Sequence, residues 1–431
     1  VDLAARFNGE IINGDAMQMY EGLPIITNKI TLDEQQGIPH HLLGSIALNE
    51  DPWSVGLFKR KATQVIQEIR SRGRLPILVG GTHYYTQSLL FNETLVETEI
   101  AESEANPSES QNGAKHPILD GTTEEMIDRL REVDPVMADR WHPNDRRKIR
   151  RSLEIFLTTG QRASEIYAKQ QQRKMAGNTT VAKIANSTSP SINEESVLLF
   201  WAYSDPEILK DRLDARINKM VTMGLLDEVM AMYEYNEQQH AAGNFIDTTK
   251  GIWVSIGYKE FGEYLAALKS TEQSPNELKR LYDLSIEKIQ FATRQYAKRQ
   301  VRWIRLKLLN ALSEAALRER LYLVDTSDVV RWDEHVSGPA IDITTKFLNA
   351  GVMPLPSEIS TIAGQVLSPN EKIGDVQEVI NRQECQLCHV TTLTEQQWRA
   401  HLGSRQHRAL NKKRLKNIAN CRSLPEDVPS I

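Results

Sequence analysis

Two apolar runs that each end abruptly in glycine, with one helical stretch between them, limit most strongly what this chain can fold into. The first is Glu10-Ile11-Ile12-Asn13-Gly14-Asp15, leading into the polar turn Ala16-Met17-Gln18-Met19-Tyr20. The second is Leu75-Pro76-Ile77-Leu78-Val79-Gly80-Gly81, leading into Thr82-His83-Tyr84-Tyr85. Short continuous apolar runs read as strands of a buried parallel sheet. Residues 54–73 place Val55, Phe58, Ala62, Val65, Ile66 and Ile69 at helical spacing and stop at Gly73, which completes a strand, helix, strand rhythm. In open α/β sheets ligands collect beyond the carboxyl ends of strands, so Asp15 and the Gly80-Gly81-Thr82 segment are the first places to look for chemistry. Asp15 is also suited to capping the next turn through its side-chain oxygen. Two glycines let backbone approach a ligand, and a threonine beside aromatic rings suits a flat polar substrate. His40 and His41, in Ile38-Pro39-His40-His41, are either ligand-facing or ordinary core and surface histidines.

With 431 residues the chain has material for two or three domains, and it has no apolar run of membrane-spanning length. Three cysteines cannot build a disulfide framework, which points to a reducing compartment. Two of them open the most self-contained motif, Cys385-x₂-Cys388-x₁₂-His401-x₅-His407, the spacing of a tetrahedral zinc site with no open position and therefore a structural metal. Val390, Trp398 and Leu402 are its candidate core, and Cys421 is left over. Residues 382–422 carry nine Lys/Arg against two Asp/Glu, a net +7, so the remainder of a chain of net charge −5 carries −12. Charge localised in this way argues for a polyanionic partner.

Between these landmarks the chain is read as a core over residues 1–96, a disordered acidic insert over 97–119, a helical domain over 120–176, a second polar insert over 177–196 and a return to the core over 197–335. A linker with one short helix over 336–378 then leads to the finger and a basic helix over 379–420. The strand beginning at Val197 is expected to rejoin the first sheet. In the helical domain Arg146, Arg147, Lys148, Arg150 and Arg151 put five positive charges in six residues. Such a run is either a solvated basic face or a contact for a phosphate backbone. A long helix over 281–309 would carry a second cationic stripe of Arg294, Lys298, Arg302 and Arg305, with Tyr296 and Trp303 assigned to the core.

Five segments in order, Asp15-Ala16-Met17-Gln18-Met19-Tyr20, Gly37-Ile38-Pro39-His40-His41, Gly80-Gly81-Thr82-His83-Tyr84-Tyr85, His142-Pro143-Asn144-Asp145-Arg146-Arg147 and Thr293-Arg294-Gln295-Tyr296-Ala297-Lys298-Arg299-Gln300, resemble the tRNA dimethylallyltransferase family, also called tRNA isopentenyltransferases. The resemblance covers roughly residues 1 to 335, and the finger is similar to that of the eukaryotic branch. It implies an α/β fold: a P-loop-NTPase-like parallel-sheet core, an inserted helical domain and a C-terminal C2H2 zinc finger. It also implies transfer of a dimethylallyl group from dimethylallyl diphosphate to N6 of adenosine 37 in the tRNA anticodon stem-loop, with Mg²⁺ at the diphosphate and structural Zn²⁺ in the finger.

Under that resemblance Asp15 would be the base, Thr82 and Gln18 would orient the adenosine, and Arg216 would pair with the diphosphate. Ala16, Met17, Tyr20, His40, His41, Gly80, Gly81, His83 and Lys259 would line the substrate. Arg147, Arg150, Arg151, Arg294, Lys298 and Arg299 would hold the tRNA. The family also has a P-loop ahead of the Asp15 strand, and no G-x-x-x-x-G-K-[ST] occurs in this sequence. The chain begins at Val1, so it is expected to be an inactive fragment whose targeting signal is out of view. A monomer is expected, in the cytoplasm, the mitochondrion or the nucleus. Two other classes share parts of the pattern: a P-loop nucleotide kinase shares the early sheet, and a non-catalytic RNA-binding protein shares the basic helices and the finger.

Overall fold

The structure is a computed structural model describing residues 1–91, 116–175, 197–269, 274–368, 381–388 and 390–422. Residues 97–115 of the first insert, the second insert over 177–196, and residues 369–378 of the linker lie outside them. Strand β1, Gly9–Asn13, is buried at all five positions, as a strand flanked on both sides must be. It lies between two parallel neighbours: β2, His40–His41, and β3, Leu75–Val79, in the register Gly9↔Leu75 through Asn13↔Val79. The crossover to β3 is the Val55–Ser71 helix, capped by Ser54, whose Phe58, Ala62, Ile66 and Ile69 pack inward. Phe58 stacks on Tyr85 with ring centroids 4.1 Å apart.

The strand expected to rejoin this sheet does not pair with it. β4, Leu199–Tyr203, pairs in parallel with β5, Leu321–Asp325, as a separate two-stranded sheet. An apolar run specifies a strand but not which edge it will pair with. Trp201, Leu321 and Leu323 share a core with Leu308, Leu312, Ala363 and Leu367. That packing also corrects the reading of 336–378 as a linker. Gly338–Leu348 and Thr361–Leu367 are helices with buried faces, among them Ala340, Ile343 and Ala363, and Tyr322 donates to the Pro354 carbonyl at 2.8 Å. Scattered Pro, Ser and Gly masked an apolar helical period. Likewise Pro117–Leu119, inside the expected first insert, is a 3₁₀ turn with Leu119 buried.

The long helix starts earlier than the apolar pattern indicates, running over Pro275–Trp303. Ser274 accepts from the Glu277 amide at 3.3 Å and Pro275 fills the first turn, where its missing amide proton costs nothing. A π-type turn, Ile304–Leu308, follows. Contacts divide the chain into two compact units, Val1–Glu97 with Val181–Ser368, and Thr98–Thr180 with Pro369–Ile431. The second unit holds the helices Thr123–Val133, Pro135–Arg140, Arg146–Thr159 and Ala163–Met175. It also holds the finger, made of β6, Gln383–Glu384, antiparallel to β7, Thr391–Thr392, and the helices Glu395–Leu402 and Arg405–Arg422. Among the described residues no helix is long and apolar enough to cross a membrane.

Candidate active site and metal centre

Parallel pairing of β1 with β3 brings the two glycine-ended junctions out side by side at the same end of the sheet. The Gly14 amide donates to the Val79 carbonyl at 2.7 Å and the Thr82 amide to the Gly14 carbonyl at 3.3 Å. A Cβ on Gly80 would stand 2.2 Å from the Gly14 carbonyl carbon, so no side chain fits there. Thr82 Oγ1 accepts from the Ala16 amide at 3.0 Å, tying the second junction to the turn after Asp15.

Asn13 sets the conformation of that turn. Its Oδ1 accepts from the Asp15 amide at 3.1 Å, and its Nδ2 donates to the Asp15 and Leu42 carbonyls, each at 3.0 Å. Asp15 Oδ1 accepts from the Met17 amide at 2.9 Å, so the capping role open to it in the sequence is real and occupies one oxygen. The other oxygen, Oδ2, carries no hydrogen bond among the described residues and lies 4.0 Å from where a Cβ on Gly81 would be. The carboxylate is thereby fixed in orientation with one oxygen left for chemistry.

Two groups from distant helices sense its charge. Burial lowers the proton affinity of the Arg216 guanidinium from its usual range, and the Asp15 carboxylate opposes that shift. For Tyr296, which is 42% exposed rather than in the core, partial burial and then Asp15 raise the phenol, against Arg299 and the Gln300 side chain. Gln300 Nε2 donates to the Gly81 carbonyl at 3.0 Å. Beside them the His83 ring stacks on Trp303 at 4.6 Å and 6°. Burial lowers the His83 pKa, and its Nε2 is enclosed without a hydrogen-bond partner among the described residues. The arrangement offers an oriented carboxylate oxygen, a cation and aromatic faces beside glycine backbone. Such a set can accept a proton from a flat polar group and attract an anion.

In the finger the ligand atoms of Cys385, Cys388, His401 and His407 all lie within 4.8 Å of one another. Among the described residues His401 Nε2 is buried with no hydrogen-bond partner, as a nitrogen reserved for a metal should be. Two sulfurs and two imidazoles suit tetrahedral zinc, so the residues fit the metal. Trp398 packs near the His401 ring at 5.9 Å, whereas Leu402, expected in the finger's core, is 40% exposed because it ends its helix facing outward.

The model of the IPP transferase family matches residues 18–307. The chain belongs to the IPP transferase family. A C2H2-type zinc-finger family matches residues 384–407. The tRNA dimethylallyltransferase of Schizosaccharomyces pombe is 35% identical over 445 residues, covering 97% of this chain and 94% of its own. That of Saccharomyces cerevisiae is 35% identical over 417 residues, covering 95% and 87%. A crystal structure described as a eukaryotic dimethylallyltransferase acting on tRNA superposes with a TM-score of 0.70 at 31% identity, covering 98% of this chain and 94% of the other.

In this member of the IPP transferase family the other sequence-predicted residues are distributed as follows. Ala16 and Met17 pack against the main core, leaving their amides to fix the turn, and Gln18 Nε2 donates to the Asn28 carbonyl at 3.1 Å. Tyr20 is only 2% exposed, its hydroxyl is enclosed beside Gly251, and burial pushes its pKa up to about 12. It is a packing residue. His40 Nδ1 meets the Ile38 carbonyl at 2.8 Å, and His41 Nε2 meets Glu10 at 2.6 Å. Lys259 lies 3.7 Å from Glu260. Arg294 pairs with Asp214, Lys298 is exposed, and Arg299 lies over the Tyr296 ring at 6.0 Å. In the basic run Lys148 pairs with Asp145 at 2.9 Å, Arg151 with Glu154 at 2.9 Å, and Arg150 donates to the Leu119 carbonyl at 3.2 Å. Arg147 is exposed with no carboxylate partner among the described residues.

Sequence reasoning missed Asn13, Gln300 and Glu10. Glu10 is 2% exposed and holds Arg72 at 2.7 Å, Arg74 at 3.0 Å and His41, which keeps its carboxyl down at about 2. A glutamate within an apolar strand was the available signal, since a buried charge requires partners.

Proposed function

We propose that the chain is a tRNA dimethylallyltransferase, moving the dimethylallyl group of dimethylallyl diphosphate to N6 of adenosine 37 in the anticodon stem-loop of tRNA. The observation that carries this reading is the free Oδ2 of Asp15, held in place by Asn13 and the Met17 amide and facing the Gly81 backbone. An adenine amine is a poor nucleophile and lies inside a stacked loop, so the base must be extruded at a cost of a few kcal/mol. The nitrogen then forms a bond to the allylic carbon as the carbon–oxygen bond to diphosphate breaks. Asp15 takes the N6 proton, a role worth roughly 10²–10⁴ in rate. Arg216 faces the departing diphosphate, and Thr82 and Gly80-Gly81 shape the seat of the base. Mg²⁺, when bound, supplies further neutralisation. Among the described residues only the finger gathers three or more metal-ligating side chains, which fits an ion that arrives chelated by diphosphate. The enzyme acts as a monomer on tRNA in the cytoplasm or mitochondrion, with the nucleus as a third site.

The test is incubation of the chain, alone and fused behind the P-loop segment of a fungal relative, with tRNA, Mg²⁺ and dimethylallyl diphosphate, followed by nucleoside mass analysis. The expected product is an adenosine heavier by one isopentenyl group beside the anticodon. If neither form yields it while both bind tRNA, the protein is an RNA-binding protein without this activity.

A further inference from the structure

We infer that Gln300 is a positioning residue for the reaction, acting as a clamp that holds the Gly80-Gly81-Thr82 junction against Asp15. The inference rests on the transferase reading above. Gln300 lies three residues before the C-terminus of the Pro275–Trp303 helix, and its Nε2 reaches across to donate to the Gly81 carbonyl at 3.0 Å. The contact is so close that a Cβ on Gly81 would meet the same Nε2 at 2.6 Å, so this glycine is required by the clamp itself. The junction it holds is the one whose Thr82 hydroxyl accepts from the Ala16 amide at 3.0 Å, next to the carboxylate. One turn earlier on the helix, the Tyr296 phenol is influenced by both the Gln300 side chain and the Asp15 charge. The carboxamide therefore links the end of the long helix to the turn after β3, and Thr82 links that turn to the one after β1 beside Asp15. Because a displacement of about 1 Å in such a frame costs on the order of 10²-fold in rate, removing the clamp should slow chemistry more than it weakens binding.

The experiment compares the active protein with Gln300→Ala, Gly81→Ala and the double variant. It reads kcat and tRNA Kd separately, together with hydrogen exchange of peptides spanning 14–17 and 80–84. Expected for Gln300→Ala are a fall in kcat of about 10- to 100-fold, a Kd within about threefold of the parent, and faster exchange in both peptides. Gly81→Ala displaces the same carboxamide, so the double variant should be no worse than the worse single one. A kcat within about threefold of the parent, a loss seen wholly in Kd, or strictly additive losses would each overturn the proposal. Exchange needs no turnover. Unchanged exchange sinks the clamp even if the transferase reading stands, and faster exchange supports it even if no transfer is found.

Discussion

The two oxygens of Asp15 differ in what they do: Oδ1 closes the turn by accepting from Met17, and Oδ2, without a hydrogen bond among the described residues, is the one the proposed function offers to substrate. Asp15→Ala is expected to lower transfer at least about 10²-fold while leaving tRNA affinity within about twofold, since the contact is made only at the reacting amine. Retention of more than about a tenth of parental turnover would remove Asp15 from the base role. Glu10 makes a different prediction. Arg72, His41 and Arg74 hold its carboxyl at about 2, against an ordinary value of 4.5. A depressed folded-state pKa gives stability that is fully present above pH 4.5 and drains away as pH falls toward 2. Thermal melts between those limits should fall less steeply for Glu10→Gln than for the parent, from a lower starting midpoint, because the two arginines lose their buried partner. Asp15 and Thr82 could be singled out as candidates in the sequence because a polar residue directly after a glycine-ended strand stands where ligands collect in an open α/β sheet, whatever structural bonds it also makes. Gln300 and Asn13 were not, because each is defined by a hydrogen bond whose other end a sequence pattern does not name.

At the scale of elements the junction of β1 with β3 is closed backbone against backbone. Gly80→Ala would press a methyl group into the Gly14 backbone, where nothing flexible can yield. A loss of about 2 kcal/mol or more in denaturant unfolding is expected, together with loss of transfer. The Arg146–Thr159 helix shows how a charge run divides its labour. Lys148, Arg150 and Arg151 are engaged within the protein, while Arg147 is exposed with no ion pair among the described residues. Arg147→Glu is therefore expected to weaken tRNA binding several-fold and reduce the salt dependence of log Kd by about one unit of slope. An unchanged slope would return Arg147 to the solvated face. Elements with a strong apolar period and a clear cap, such as Val55–Ser71, were legible to within two residues. The helix Gly338–Leu348 was not, because glycine and proline at its start read as linker until its buried face is seen.

In the whole molecule the finger is no free tail. His142 Nδ1 accepts from the Asn144 amide at 3.1 Å, so its Nε2 carries the proton and donates to the Thr391 carbonyl in β7 at 3.0 Å. Arg382 reaches Asp139 at 3.4 Å. The helical segment and the finger thus belong to one compact unit although about 250 residues separate their contacts. Removing zinc with a chelator is expected to speed hydrogen exchange in peptides covering 381–393 and in the loop at His142, with β1 and β3 unchanged. Melting of every peptide together would show instead that the two units unfold as one.

Periodicity, glycine-ended strands and ligand spacing are local properties, so the sequence alone determined the α/β core, the helical segment, the zinc motif and the candidacy of Asp15. Partnership is not local. Which strand β4 would pair with, which arginine would stay free and which carboxamide would reach Gly81 depended on surfaces meeting across long stretches of chain. Each such contact is a competition among many equally polar or apolar groups, and only tertiary packing resolves it.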